Sequence, residues 1–220
     1  MTLRLTPDDD LGPFVRALRA GESAVLPTDT VYGLACAAHL EDACARTLAL
    51  KGRDLSKPTS IIGASLGVVF TGVLGDLGGR PVERAKRLLP GPVTVILPNP
   101  GGVLPWLCGD DPSRIGVRVP VLLPAVAQAL ERVGVIAATS ANMAGSADPV
   151  ALDEVPDAIL EHVAVAIDAG RAPAGRPSTV VDLTGPEPMI LREGALSEAD
   201  VHEILEHGMR WWRAQRSAPS

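Results

Sequence analysis

The sequence predicts an α/β protein with mixed α+β character: a single-domain, twisted, open mixed sheet with helices on its faces. Three observations carry that expectation. Short apolar runs such as Ala24-Val25-Leu26, residues 93–97 and residues 115–119 read as buried strands. Stretches with helical spacing lie between them, for example Leu11, Phe14, Val15 and Leu18. Two late runs, 178–183 and 189–192, flank Thr184-Gly185-Pro186 as a strand pair, so the sheet is mixed rather than purely parallel.

Taken in order, Thr6-Pro7-Asp8-Asp9 reads as a helix start, with a hydroxyl cap, Pro in the first turn and acids against the positive helix end. Gly21 ends that helix, and residues 23–26 form the first core strand. After the Pro27-Thr28-Asp29-Thr30 turn, residues 31–37 are apolar and half buried, and 41–50 is a helix leading to a basic loop at 51–57. Strands are expected at 59–64, 93–97, 115–119, 135–139 and 163–167, and helices at 81–89, 120–133 and 151–162. Ser197 with Asp200 opens a last helix as a capping box, 198–206. Residues 1–208 are expected to form one domain and 209–220 a frayed tail, which Trp211 and Trp212 tuck down.

Composition narrows the function classes. Of 220 residues, 46% are hydrophobic and only 3% aromatic, so the core is built from Ala, Val, Leu and Ile. A net charge of −6 argues against a surface that grips nucleic acid everywhere, while leaving room for a local basic cleft. Three cysteines, Cys36, Cys44 and Cys108, form no CxxC pair. They fit buried thiols in a reducing compartment better than a disulfide scaffold or a metal site with His39. There is no signal-peptide h-region and no apolar run near the roughly 20 residues of a membrane span. A soluble, cytoplasmic protein with no membrane partner is expected.

Four strand ends carry polar groups that a core does not need: Thr28-Asp29-Thr30, Arg118, Thr139-Ser140-Ala141-Asn142 and Ser178-Thr179. Open α/β sheets place ligands at the carboxyl ends of strands, so several such ends point to one shared pocket. Each also has a plainer reading. Thr28 and Asp29 suit a turn, and Ser140 suits an N-cap. Lys51, Arg53 and Lys57 suit a solvated loop. Arg118, between Val117 and Val119, needs either the solvated face of an edge strand or a carboxylate partner in a pocket. No Walker A sequence, GxGxxG, HExxH or hydrolase triad stands in the chain. Residue types alone therefore give an anion pocket: donors beside cations.

LPTDTVYGL, KGRDLSKP, PGPVTVIL, GVRVP, TSANMAG, STVVDL and ILREG occur in that order between about residues 22 and 196. Together they resemble the YrdC/Sua5 family of threonylcarbamoyl-AMP synthases. The resemblance implies a YrdC-like fold and an L-threonylcarbamoyladenylate synthase, a nucleotidyltransferase. It would use ATP, L-threonine and bicarbonate or CO2 to make threonylcarbamoyl-AMP and pyrophosphate. That product serves the N6-threonylcarbamoyl modification of adenosine 37 in tRNA, reached indirectly through transfer proteins. The resemblance also implies site residues. Lys51, Arg53 and Lys57 hold the triphosphate, Lys51 and Arg53 being the catalytic pair, with Ser140, Asn142 and Arg192 as further ATP contacts. Thr30, Arg118 and Ser178 are the L-threonine contacts, Arg118 pairing with the substrate carboxylate. Mg2+ accompanies ATP, and no protein metal site is implied.

Two departures stand out. The family usually continues KGRDLSKP with an apolar strand, where this chain has Pro58-Thr59-Ser60-Ile61-Ile62. Arg114 stands where some relatives carry a small or hydroxylic residue. The length of 220 residues points to the short form, without a Sua5-type C-terminal domain and linker. An RNA-binding module of the same fold is the alternative function. A carbamoyl-adenylate domain of hydrogenase-maturation proteins is a third, disfavoured by the absence of zinc-finger and acylphosphatase sequences.

Overall fold

Alternation of side chains along ten strands decides which face of the sheet is core and which is cleft. The structure, a computed structural model, describes residues 2–52, 54, 56–75, 77–210 and 213. Its strands are β1 (Leu3–Leu5), β2 (Ala24–Leu26), β3 (Gly33–Ala37), β4 (Ser60–Gly63), β5 (Val93–Pro98), β6 (Arg114–Arg118), β7 (Val135–Ser140), β8 (Val165–Ile167), β9 (Thr179–Asp182) and β10 (Met189–Arg192). They form one sheet in the order β1-β8-β2-β3-β7-β4-β6-β5-β9-β10. Parallel pairs (β1 with β8, β4 with β6, β5 with β9) mix with antiparallel ones (β2 with β3, β3 with β7, β9 with β10), as expected for this sequence.

The helices are α1 (Gly12–Arg19), α2 (Glu41–Leu50), α3 (Arg80–Leu88), α4 (Pro124–Val133), α5 (Asp157–Leu160) and α6 (Glu198–His207). One sheet face presents Cys36, Ile61, Val95, Val117, Ala137 and Val181 to α2, α3 and α6. On the other face, α1 and α4 bury Phe14, Leu18 and Leu130 against Leu26, Ala35, Ile62 and Ile136. Each such side chain is fully or almost fully buried, the Val, Leu, Ile and Phe among them contributing about 1.5–3 kcal/mol each. These two helices reach only as far as β4. The half of their face made by β4, β6, β5 and β9 is left open, and that opening is the cleft described below.

Where the sequence reading and the structure differ, local hydrogen bonds and prolines explain it. Thr6 does not start a helix. Its N–H and hydroxyl both donate to Asp9 Oδ2, at 2.7 and 2.8 Å, closing a local turn that competes with helix. The helix starts at Gly12-Pro13, and Leu3–Leu5, unread in the sequence, forms β1 beside β8. The helix expected at 120–133 begins only at Pro124, because the residue before a proline is pushed out of the helical region: Leu123 has ψ 143°. Pro156 likewise holds Val155 extended at ψ 126°, so the expected helix at 151–162 splits into a single turn at Leu152–Glu154 and the short α5. The capping box of α6 is present in full. Met209 is buried against the core beside Gly91, one residue past the expected boundary at Gly208. Trp211 and Trp212 lie outside the described residues.

Candidate active site

Strand register builds the site. Ile62 pairs with Arg118, Ile96 with Gly116, and Thr94 with Val180, so these residues share one face. Across β7 the same face continues through Ala138 and Ser140, opposite Ser60 and Gly33. The result is a cleft of about 470 Å³ lying across the sheet. That size suits a small-molecule site. Thr28, Arg118 and Ser140 reach it from the carboxyl ends of their strands. Ser178 comes from the amino end of β9, so the four polar ends do meet, but over the sheet face rather than beyond one edge.

Lys51 caps the C-terminal end of α2, where a cation meets the negative end of the helix. It is only 4% exposed. Its Nζ donates to Thr139 Oγ1 at 3.2 Å, Ser140 O at 2.6 Å, Ser140 Oγ at 2.8 Å and Asn142 Oδ1 at 2.7 Å. Ser140 Oγ also donates to Asn142 Oδ1 at 2.6 Å, and Asn142 Nδ2 donates to Ser146 O at 2.5 Å. Lys51 and the segment from Ser140 to Asn142, far apart in sequence, are thus one hydrogen-bonded group, of which Ser140 lines the cleft. Lys57 is exposed and Pro58 beside it lines the cleft. Arg53 lies outside the described residues.

Arg118 has a carboxylate partner within the protein. Its Nη2 donates to Asp29 Oδ1 at 2.6 Å, Thr30 Oγ1 at 2.5 Å and Thr28 Oγ1 at 3.4 Å. Burial lowers the guanidinium pKa from the usual arginine range, Asp29 raises it again, and Arg192 lowers it as a second cation. An arginine remains charged through such a shift. Its Nε is buried with no hydrogen-bond partner. Thr28 serves both readings of its turn: its hydroxyl accepts from the Thr30 and Val31 N–H groups and also faces the cleft. Thr30 is fully buried behind Arg118. Its hydroxyl holds Arg118 rather than facing the cleft.

Ser178 and Arg192 meet as well. Arg192 Nη2 donates to Ser178 O at 2.8 Å, and Ser178 Oγ shares a 2.9 Å hydrogen bond with Thr94 Oγ1. Regular alternation would point Arg192 away from the cleft, since Ile190 faces the core. A bulge between Ile190 and Arg192 pairs Arg192 with Val180 and returns it to the cleft face.

Several residues at the cleft carry no site assignment from sequence, among them Thr94, Ser60 and Arg114. Thr94 and Ser60 line it, and Arg114 lines it while bonded to Asp182 Oδ2 at 2.7 Å and Asp111 Oδ2 at 3.1 Å. Period-two alternation on β5 and β6 carries the signal for Thr94 and Arg114, but only once the strand pairing is known. Cys108 also lines the wall, and burial raises its thiol pKa. All three cysteines are free thiols, and among the described residues no group of three or more His, Cys, Asp or Glu stands together to hold a metal.

Fold and cleft define a class: a mixed-sheet α/β protein with a cleft across its sheet lined by arginines and hydroxyl groups. The chain belongs to the Sua5/YciO/YrdC family, whose profile, described as telomere recombination, matches residues 16–194. A Mycobacterium tuberculosis protein provisionally named threonylcarbamoyl-AMP synthase is 34% identical over 87% of this chain and 87% of its own length. Among solved structures, Pyrococcus abyssi Sua5 complexed with L-threonine superposes with a TM-score of 0.81 at 29% identity, covering 94% of this chain and 62% of that one. Escherichia coli YciO superposes with a TM-score of 0.73 at 26% identity, covering 88% of this chain and 95% of its own.

Proposed function

We propose that this protein is an L-threonylcarbamoyladenylate synthase, a nucleotidyltransferase of the cytoplasm serving tRNA modification. The observation that carries the reading is that two groups reach one cleft: Ser140, held by Lys51 and Asn142 behind it, and buried Arg118 with an unpartnered Nε. Relatives bearing the synthase name, and a Sua5 relative complexed with L-threonine, support it.

The chemistry needs no covalent enzyme nucleophile. The threonine amine attacks CO2 to form a carbamate, losing a proton. A carbamate oxygen then attacks the α-phosphorus of ATP, forming a P–O bond as the bond to pyrophosphate breaks. Alignment alone supplies as much as about 7–11 kcal/mol of the barrier. In this reading Arg118 binds the threonine carboxylate, Thr30 holds Arg118 from behind, and Ser178 flanks the amino acid. Lys51 and Arg53, with Lys57 at the mouth, take the charge that develops on the phosphates. Ser140 and Asn142 orient Lys51 and, with Arg192, contact the nucleotide. Mg2+ enters with ATP, held by phosphate oxygens and water.

The test is pyrophosphate release by purified protein given ATP, Mg2+ and bicarbonate. Release that depends on added L-threonine supports the reading. Threonine-independent release, or none, overturns it.

A further inference from the structure

We propose that Asp29 is a positioning residue that fixes the orientation of Arg118 for a carboxylate-bearing ligand; this rests on the reading of the cleft as an amino-acid site. Asp29 does not line the cleft, so it acts through its neighbours. Both carboxylate oxygens are engaged. Oδ1 accepts from Arg118 Nη2 at 2.6 Å, and Oδ2 accepts from the Val121 N–H at 2.9 Å. The Asp29 backbone carbonyl accepts from the Ala174 N–H at 3.1 Å. One residue therefore ties the turn after β2 to the end of β6, to the segment just beyond it, and to the loop before β9.

The consequence lies at the guanidinium. Arg118 is 7% exposed, and its Nη2 is taken up by Asp29, Thr30 and Thr28. Its Nε is buried and unpartnered, a donor that a protein rarely strands without a use. Asp29 pins one nitrogen, so the guanidinium that lines the cleft is held in a fixed plane. An amide cannot replace it: Asn has one acceptor oxygen where Arg118 and Val121 require two. Glu keeps the charge and displaces it by one methylene.

The experiment measures KM for threonine and for ATP in threonine-dependent pyrophosphate release, with folding checked by circular dichroism. Asp29→Asn is expected to raise the threonine KM about tenfold, the loss of one charge-assisted hydrogen bond. The ATP KM should stay within about twofold. Asp29→Glu preserves the buried counter-charge and so remains folded even where Asp29→Asn does not; it should raise the threonine KM alone in the same way. In an Arg118→Ala background, neither substitution should add more than about twofold. An unchanged or lowered threonine KM in folded variants overturns the proposal. So does a parallel rise for ATP, or a rise that persists without Arg118. Wild-type turnover that ignores threonine is a different result, and it overturns the functional reading on which the proposal stands.

Discussion

Lys51 Nζ lies 2.7 Å from Asn142 Oδ1, joining the end of α2 to the segment after β7 across 91 residues of sequence. A buried ammonium held by side-chain and backbone oxygens is a charge kept in place before any ligand arrives. Electrostatic preorganisation of this kind is effective because no reorganisation is needed during reaction.

Lys51→Ala is therefore expected to lower kcat/KM for ATP by about 100-fold or more, the range seen when one such donor is removed. The threonine KM should change by no more than a few-fold. Lys51→Arg should not restore activity, because a planar fork does not fit a site built around a point charge. Pyrophosphate release at varied ATP checks both.

Arg118→Ala removes hydrogen bonds to a charged ligand, each worth about 1.5–3 kcal/mol. The expected outcome is a threonine KM raised by about 10- to 100-fold with little change for ATP. It also strands the Asp29 carboxylate, which is 10% exposed, so the melting temperature should fall as well. Calorimetry alongside kinetics separates the two effects.

Gly194 marks a close approach of backbone to backbone. A Cβ there would come within 2.6 Å of the Ser178 carbonyl carbon and also meet the Pro177 carbonyl oxygen. Overpacking costs about 1–3 kcal/mol, and a chain this size loses about 2–4 °C per kcal/mol. Gly194→Ala should thus melt several degrees lower. It should also raise the threonine KM, because relief requires moving Ser178.

Tyr32 is fully buried, and its hydroxyl donates to Gly170 O at 2.6 Å while accepting from the Ala169 N–H at 3.0 Å. Burial, then the Asp168 carboxylate, raises its pKa above the usual tyrosine value of 10.0. A raised folded-state pKa means stability that is complete below about pH 10 and lost as pH rises through the folded value. Tyr32→Phe should flatten the alkaline fall in melting temperature, at a cost near neutrality of about 0.5–1.5 kcal/mol for each of the two lost hydrogen bonds. A melting series from pH 7 to 11 checks the sign.

Much of this was legible in the sequence, for physical reasons that also set the limit. Helix α2 matches its expected span because Glu41 and Asp42 open it and its inner face is buried. The helices expected from Pro120 and Ala151 are shorter in the structure because Pro124 and Pro156 act on the residue before them. Lys51, Ser140, Asn142, Arg118, Ser178 and Arg192 could be singled out by type and family resemblance. Their mutual contacts could not, since these depend on register. Arg192 reaches the cleft only through a bulge, and no local pattern announces it. Family resemblance pairs Arg118 with a ligand carboxylate, yet Asp29, 89 residues away, already occupies one side of it. The alternation that places Thr94 and Arg114 over the cleft was present in the sequence but had no meaning until β5, β6 and β9 were paired.

The most direct measurement is of the product itself. Purified protein is incubated with ATP, Mg2+, L-threonine and 13C-labelled bicarbonate, and the mixture is analysed at once by mass spectrometry. The account expects a species containing AMP, threonine and the labelled carbon, formed together with pyrophosphate and absent when threonine is withheld. Consumption of ATP with no such labelled adduct, or an adduct that lacks the bicarbonate carbon, would contradict it.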